Sequence, residues 1–79
     1  MLLKSNYEIY SLIGYNIKKY RKKQKITQYE LAKKCGYSYS YIKKIEGKES
    51  PKNFSILTIY NISIALGIDI KCLFDDNDI

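Results

Sequence analysis

The stretch "TQYELAKKCGYSYSYIKKIEG", residues 27–47, leaves room for two short helices and little else. Thr27 followed three residues later by Glu30 has the spacing of a capping box, in which each side chain satisfies a free backbone N–H of the other residue. A helix is expected over 28–34, with Leu31, Ala32 and Cys35 on its buried side. Gly36 can take the positive φ that ends it. Ser38 then caps a second helix, in which Ile42 and Ile45 face inward and Gly47 follows as a stop. Two helices bent around one glycine make a helix-turn-helix, with small Ala32 where the pair must approach closely. Left over on the outer side are Tyr39, Ser40, Tyr41, Lys43 and Lys44, a face of hydroxyls, rings and positive charge.

The flanking sequence is helical too. Ser5 with Glu8 has capping-box spacing, and Ser11 is a second possible start. Ile9, Ile13, Ile17 and Tyr20 recur at helical spacing with lysines on the other face, up to about Lys23, and Ile26 tucks back onto the core. Gly14 weakens a helix through it by about 1 kcal/mol relative to Ala, so residues 5–12 are either part of that helix or a separate arm. "KESPKNF" is a loop held by Pro51. Ser55 caps a helix whose Ile56, Ile59, Ile62 and Leu66 repeat on one face until Gly67, and "DIKCLF" is a last turn capped by Asp69 with Leu73 and Phe74 apolar. No strand alternation or internal repeat is visible. The expectation is an all-α domain of about five short helices: an arm or helix extension over 1–12, a helix-turn-helix domain over 13–74 and an acidic tail over 75–79.

A chain of 79 residues is one domain. It buries roughly 60% of its unfolded surface, too little to spare for a deep catalytic cleft. No apolar run reaches the ~18 residues of a membrane span, and the start "MLLKSNYEIY" lacks a signal-peptide core, so a cytoplasmic protein is expected. Cys35 and Cys72 stand far apart in a chain without histidine, which argues against both a disulfide framework and a tetrahedral zinc site. Cys35 is expected as a small buried apolar residue. "DDNDI" lacks the glycine and bidentate glutamate of a calcium loop, so no metal and no cofactor are expected. Of the 14 Lys and Arg, 12 lie between residues 18 and 52, opposed there by only Glu30, Glu46 and Glu49, which leaves +9 on that segment. Residues 69–79 carry −3. A basic block on a folded domain points to a polyanion partner.

The run "IGYNIKKYRKKQKITQYELAKKCGYSYSYIKKIEGK" resembles the DNA-binding domain of the phage repressor and Cro family, the XRE regulators. The family pattern is met by Gly14, Ile17, Arg21, Thr27, Gln28, Leu31 and Ala32, then by Ile42, Ile45 and Glu46, and by the ending Ala-Leu-Gly-Ile at 65–68. The likeness covers residues 13–74. The chain departs from the pattern in having Glu46 and Gly47 adjacent, with a correspondingly longer loop before the next helix.

The resemblance implies a transcriptional regulator, a repressor, that binds double-stranded DNA as a homodimer and reads the major groove with the helix over 38–46. Ser38, Tyr39, Ser40 and Lys44 match base-reading positions, and their chemistry suits base edges: lysine for guanine, serine for either kind of base, an aromatic surface for the thymine methyl. Thr27 and Gln28 fall where a helix N-terminus clamps a phosphate. Tyr41 and Lys43 are expected to reach phosphates or sugars, with Lys48, Lys52 and Asn53 as loop contacts. Arg21 and Glu46 look like the family's internal ion pair, structural and not a DNA contact. The charged residues Lys18, Lys19, Lys22, Lys23 and Lys25 form a solvated face. Two other readings stay open: a protein-binding module such as an antitoxin or anti-regulator, acting through the N-terminal arm or C-terminal tail, and an RNA-binding protein that stacks bases on its tyrosines. An enzyme is not expected, because the chain lacks histidine, a glycine-rich phosphate loop and a carboxylate pair outside the tail.

Overall fold

The computed structural model of the chain describes residues 6–47 and 54–77. It contains four α-helices, α1 (Asn6–Lys23), α2 (Gln28–Cys35), α3 (Tyr39–Glu46) and α4 (Ile56–Leu66), followed by a 3-10 helix over Ile70–Phe74. Among the described residues there is no strand, so the all-α expectation holds, with α1 much longer than its neighbours. None of these helices is long and apolar enough to cross a membrane.

The helix starts follow from local chemistry. The Glu30 N–H donates to Thr27 Oγ1 at 3.0 Å, and the Thr27 N–H donates to Glu30 Oε1 at 2.7 Å, closing the capping box. Ser38 Oγ accepts from the Tyr41 N–H at 3.1 Å, and Ser55 Oγ from the Thr58 N–H at 3.2 Å. Asp69 caps the 3-10 helix through the Lys71 N–H. Gly36 and Gly67 end α2 and α4 at φ 77° and 67°, whereas Gly47 ends α3 with an extended backbone. Ser11 starts nothing. It lies within α1, and Ser5 lies outside the described residues.

Helices of eight residues are marginal on their own, so the core must hold them. Ile13 and Ile17 of α1, Leu31 and Ala32 of α2, Ile42 and Ile45 of α3, and Ile59, Ile62 and Leu66 of α4 close around one another with Phe54 and Leu73. Each large aliphatic side chain buried in this way contributes about 1.5–3 kcal/mol. Ile26 packs partly against the same core, and Cys35 is only half-buried.

Helix α4 departs from its expected face at Ile56, which is 63% exposed. Thr58 and Ser63 turn inward beside Ile59, Ile62 and Leu66 instead. Thr58 stands near both the Ser55 and Tyr41 hydroxyls, which gives its own hydroxyl polar company on the buried side, while Ile56 is left at the rim.

Polar contacts fix the angles between helices. Asn16, fully buried on α1, donates through Nδ2 to the Leu73 and Asp75 carbonyls at 2.9 and 2.8 Å and so ties down the C-terminal turn. Gln24 donates to the Leu66 carbonyl at the end of α4. Asn61 of α4 donates to the Tyr37 hydroxyl between α2 and α3 at 2.9 Å. Gly14 is where α1 meets α3: a Cβ there would collide with the Ile45 carbonyl oxygen.

Candidate nucleic-acid interface

The α2–α3 pair presents one outward face, and the anchoring of α3 explains which side chains reach it. Ile42 and Ile45 are buried at 0% and 2% exposure, which commits the opposite side of the same helix to solvent. Ser40, Lys43 and Lys44 stand on that side, with Tyr39 at the first helical position and the capping Ser38 just before it. These residues share a single face.

Tyr41 does not point the same way. It is half-buried, its ring meets Tyr37 edge to face at 5.3 Å, and its hydroxyl lies 3.4 Å from Thr58 Oγ1 on α4. Its place among the fully exposed residues of α3 is therefore corrected. The physical reason is that the Tyr37 ring and the Thr58 hydroxyl together satisfy both ends of the side chain.

Behind the outer face lies a polar anchor. Arg21 of α1 grips Glu46 at the end of α3 with two parallel hydrogen bonds, Nε to Oε2 at 2.8 Å and Nη2 to Oε1 at 2.9 Å. The two side chains are only 9% and 2% exposed. The remaining Arg21 nitrogen, Nη1, donates to the Ile26 carbonyl at 2.9 Å. Gln28 of α2 adds a third donor, Nε2 to Glu46 Oε1 at 3.0 Å. One carboxylate thus joins three helices, and the fork-on-fork geometry fixes their orientation as well as their distance. Gln28 thus commits one of its two amide hydrogens to this inward bond.

Sequence spacing had not singled out Tyr29. On the first turn of α2 it is 58% exposed and meets Tyr39 edge to face, with ring centroids 6.3 Å apart at 69°. Lys33 lies 5.6 Å from the Tyr29 ring centroid and Lys43 lies 5.2 Å from that of Tyr39, both within cation–π range. Arg21, Thr27, Gln28, Tyr29 and Tyr39 line one shallow depression that links the starts of α2 and α3. The available signal was weak: one more exposed tyrosine in a chain with nine.

Electrostatics mark two further groups. The Thr27 backbone N–H, followed by its hydroxyl, holds the Glu30 carboxyl below its ordinary range. Burial pushes the Cys35 thiol up, so it is a poor nucleophile. On α1, Lys19 and Lys23 both lie over the Tyr20 ring, at 5.1 and 5.3 Å. Tyr15, Lys18, Lys19, Lys22 and Lys23 line a second open surface. The loop residues Lys48, Lys52 and Asn53, and Pro51 with them, lie outside the described residues.

Comparison with known proteins agrees with this geometry. The helix-turn-helix family profile matches residues 17–71. The chain is 34% identical over 67 residues to the HTH-type transcriptional regulator SinR of Bacillus licheniformis, an alignment covering 85% of this chain. It spans 60% of the length of that relative. Among solved structures, the hypothetical transcription factor NHTF from Neisseria shares the fold, with a TM-score of 0.82 at 24% identity over 99% of this chain and 87% of that one. The restriction-modification controller protein C.AhdI from Aeromonas hydrophila superposes with a TM-score of 0.79 at 25% identity, over 90% of this chain and 100% of that one.

Proposed function

The chain belongs to the Cro/C1-type (XRE) helix-turn-helix family of DNA-binding transcriptional regulators, a class that is not enzymatic, and from that premise we propose that it is a sequence-specific repressor that docks α3 in the major groove of duplex DNA as a homodimer. The observation that carries this reading is the outward face of α3, mounted on a base that Glu46 locks to α1 and α2. Ser38, Tyr39, Ser40 and Lys44 read base edges. Thr27, Gln28 and Lys43 contact phosphates, joined by Lys48, Lys52 and Asn53 of the following loop. Tyr41 reaches a phosphate only by leaving Thr58, so it is the weakest member of the set.

One short helix reads few base pairs, and specificity of practical use needs two half-sites. The outer side of α4 supports self-association. Ile56, Leu57, Tyr60 and Ile64 are 49–63% exposed along it, and Phe74 is 40% exposed on the 3-10 helix. Leu73 takes no part in such an interface. It is fully buried and closes the core. The same apolar face would equally serve a different protein, which is the basis of the antitoxin or anti-regulator reading.

Selection of bound duplexes from a random pool at ~150 mM salt, where non-specific contacts are weak, decides between them. A two-fold symmetric motif with half-site centres about 10 base pairs apart is expected. Recovery of no motif from folded protein would transfer the reading to a protein partner.

A further inference from the structure

We propose that Tyr29 is a positioning residue for base reading: by holding the Tyr39 ring against its own, it makes Tyr39 select a thymine at one position of each half-site. The inference deepens the regulator reading and rests on it. Tyr39 begins α3, at the end of the helix that reads bases in that reading, and is 45% exposed. A tyrosine so exposed would ordinarily sample several rotamers and present no fixed shape. Here two contacts restrict it. Tyr29 crosses it at 69° with centroids 6.3 Å apart, and Lys43, one turn on, lies 5.2 Å from its centroid.

The two contacts come from different elements, and that difference matters. Lys43 sits on α3 and moves with Tyr39, whereas Tyr29 sits on α2 and ties the ring to the rest of the domain. Glu46 joins α2 to α3 through Gln28, immediately beside Tyr29 in sequence, so the spacing between the two rings is built into the fold. With Lys43 over its ring and Tyr29 packed against it edge to face, Tyr39 is left 45% exposed as an aromatic surface held in one place. The 5-methyl group of thymine is the apolar feature that the major groove presents to such a surface.

The test is duplex selection and titration with the full chain carrying Tyr29→Ala, Tyr29→Phe or Tyr39→Phe. An edge-to-face pair of this kind corresponds to a roughly two- to tenfold preference. Tyr29→Ala should lower the thymine preference by that factor at a single position per half-site and leave the other positions unchanged. Tyr29→Phe and Tyr39→Phe keep the rings and should preserve the preference. Replacing that thymine by uracil should cost the wild type the same factor and cost Tyr29→Ala nothing further. Tyr29 is mostly exposed, so the variant is expected to fold, and its melting temperature verifies this.

Uniform weakening of all sequences by Tyr29→Ala would make Tyr29 a backbone contact and overturn the inference. Loss of the preference in Tyr39→Phe would assign the reading to the hydroxyl and overturn it also. A wild-type motif that Tyr29→Ala leaves intact overturns this inference alone. A wild type that selects no motif overturns the regulator reading, and this inference with it.

Discussion

Two polar anchors hold α1 to the rest of the domain, and they are built on opposite principles. Toward its C-terminal end, Arg21 binds the Glu46 carboxylate of α3 through two charged hydrogen bonds, and Gln28 adds a third. On another flank, neutral Asn16 donates two hydrogen bonds to the carbonyls of Leu73 and Asp75. The charged anchor is fully engaged on the carboxylate side. In the neutral one, Asn16 Oδ1 is buried without a hydrogen-bond partner among the described residues. A charged anchor fixes α3 by orientation and tolerates no missing partner. A neutral one tethers the C-terminal turn at lower stakes.

Breaking the charged anchor should have the largest effect. Glu46→Ala leaves the Arg21 guanidinium buried and frees one Gln28 donor, and chemical denaturation should register a loss of about 3–5 kcal/mol. Combining Arg21→Met with Glu46→Leu should recover much of that loss, because both charges leave together. A loss from Glu46→Ala below about 1 kcal/mol would mean that the pair behaves as a surface ion pair despite its burial.

Next in size is the contact that lets the charged anchor form. α1 and α3 approach so closely at Gly14 that a Cβ would strike the Ile45 carbonyl oxygen, one residue before Glu46. Gly14→Ala improves helix propensity by about 1 kcal/mol, yet it must push the helices apart, at a typical cost of 1–3 kcal/mol. A net loss in melting temperature is expected. A gain would show that the crossing relaxes freely.

The neutral anchor should then give a smaller response. Asn16→Ala strands two carbonyl oxygens but also removes an unsatisfied acceptor, so a loss of about 1–3 kcal/mol is expected, toward the lower end. Amide hydrogen exchange should localise the change to the 3-10 helix over 70–74 and leave α2 and α3 protected. Equal loss of protection in α3 would remove the distinction between the two anchors.

These residues also show what a sequence discloses. The starts at Thr27, Ser38, Ser55 and Asp69 were legible because a cap is a contact between residues two or three positions apart. Ile13, Ile17, Ile42 and Ile45 were legible because a buried face repeats along a helix. Asn16 was not, since a lone asparagine between Tyr15 and Ile17 has no local partner to reveal it. Gly14 could be read alone only as a weak helix former, because the carbonyl that requires it comes from α3. Ile56 satisfied the helical period, yet it is 63% exposed while Thr58 turns inward beside the Ser55 hydroxyl and that of Tyr41 on α3, contacts that the period does not carry. The Tyr29–Tyr39 pair and the Gln28–Glu46 bond likewise join α2 to α3, and such crossings leave no spacing signature.

The smallest effect should come from the turn that serves the charged anchor, and with opposite sign. Lys25 is the non-glycine residue with positive φ among those described, at 59°. A left-handed backbone costs an ordinary residue about 1–2 kcal/mol. The turn keeps that conformation because it returns the chain so that Ile26 can offer its carbonyl to Arg21 Nη1. Lys25→Gly removes the strain but gives the unfolded chain more freedom, so the net gain should be a few tenths to about 1 kcal/mol. A loss of stability would mean that the lysine side chain contributes more than its backbone strain costs. Glu30, in the capping box that follows, supplies a pH readout in the same experiment. Its folded pKa is depressed, so its contribution is present above the ordinary carboxyl value of about 4.3 and fades as pH falls through the lower folded value. Thr27→Ala should cost about 1 kcal/mol at neutral pH. It should make that acid slope only somewhat shallower, because alanine keeps the backbone N–H that is the larger cause of the depression and loses the hydroxyl alone. Lys25→Gly should leave the slope unchanged, which separates relief of turn strain from any change in the cap beside it.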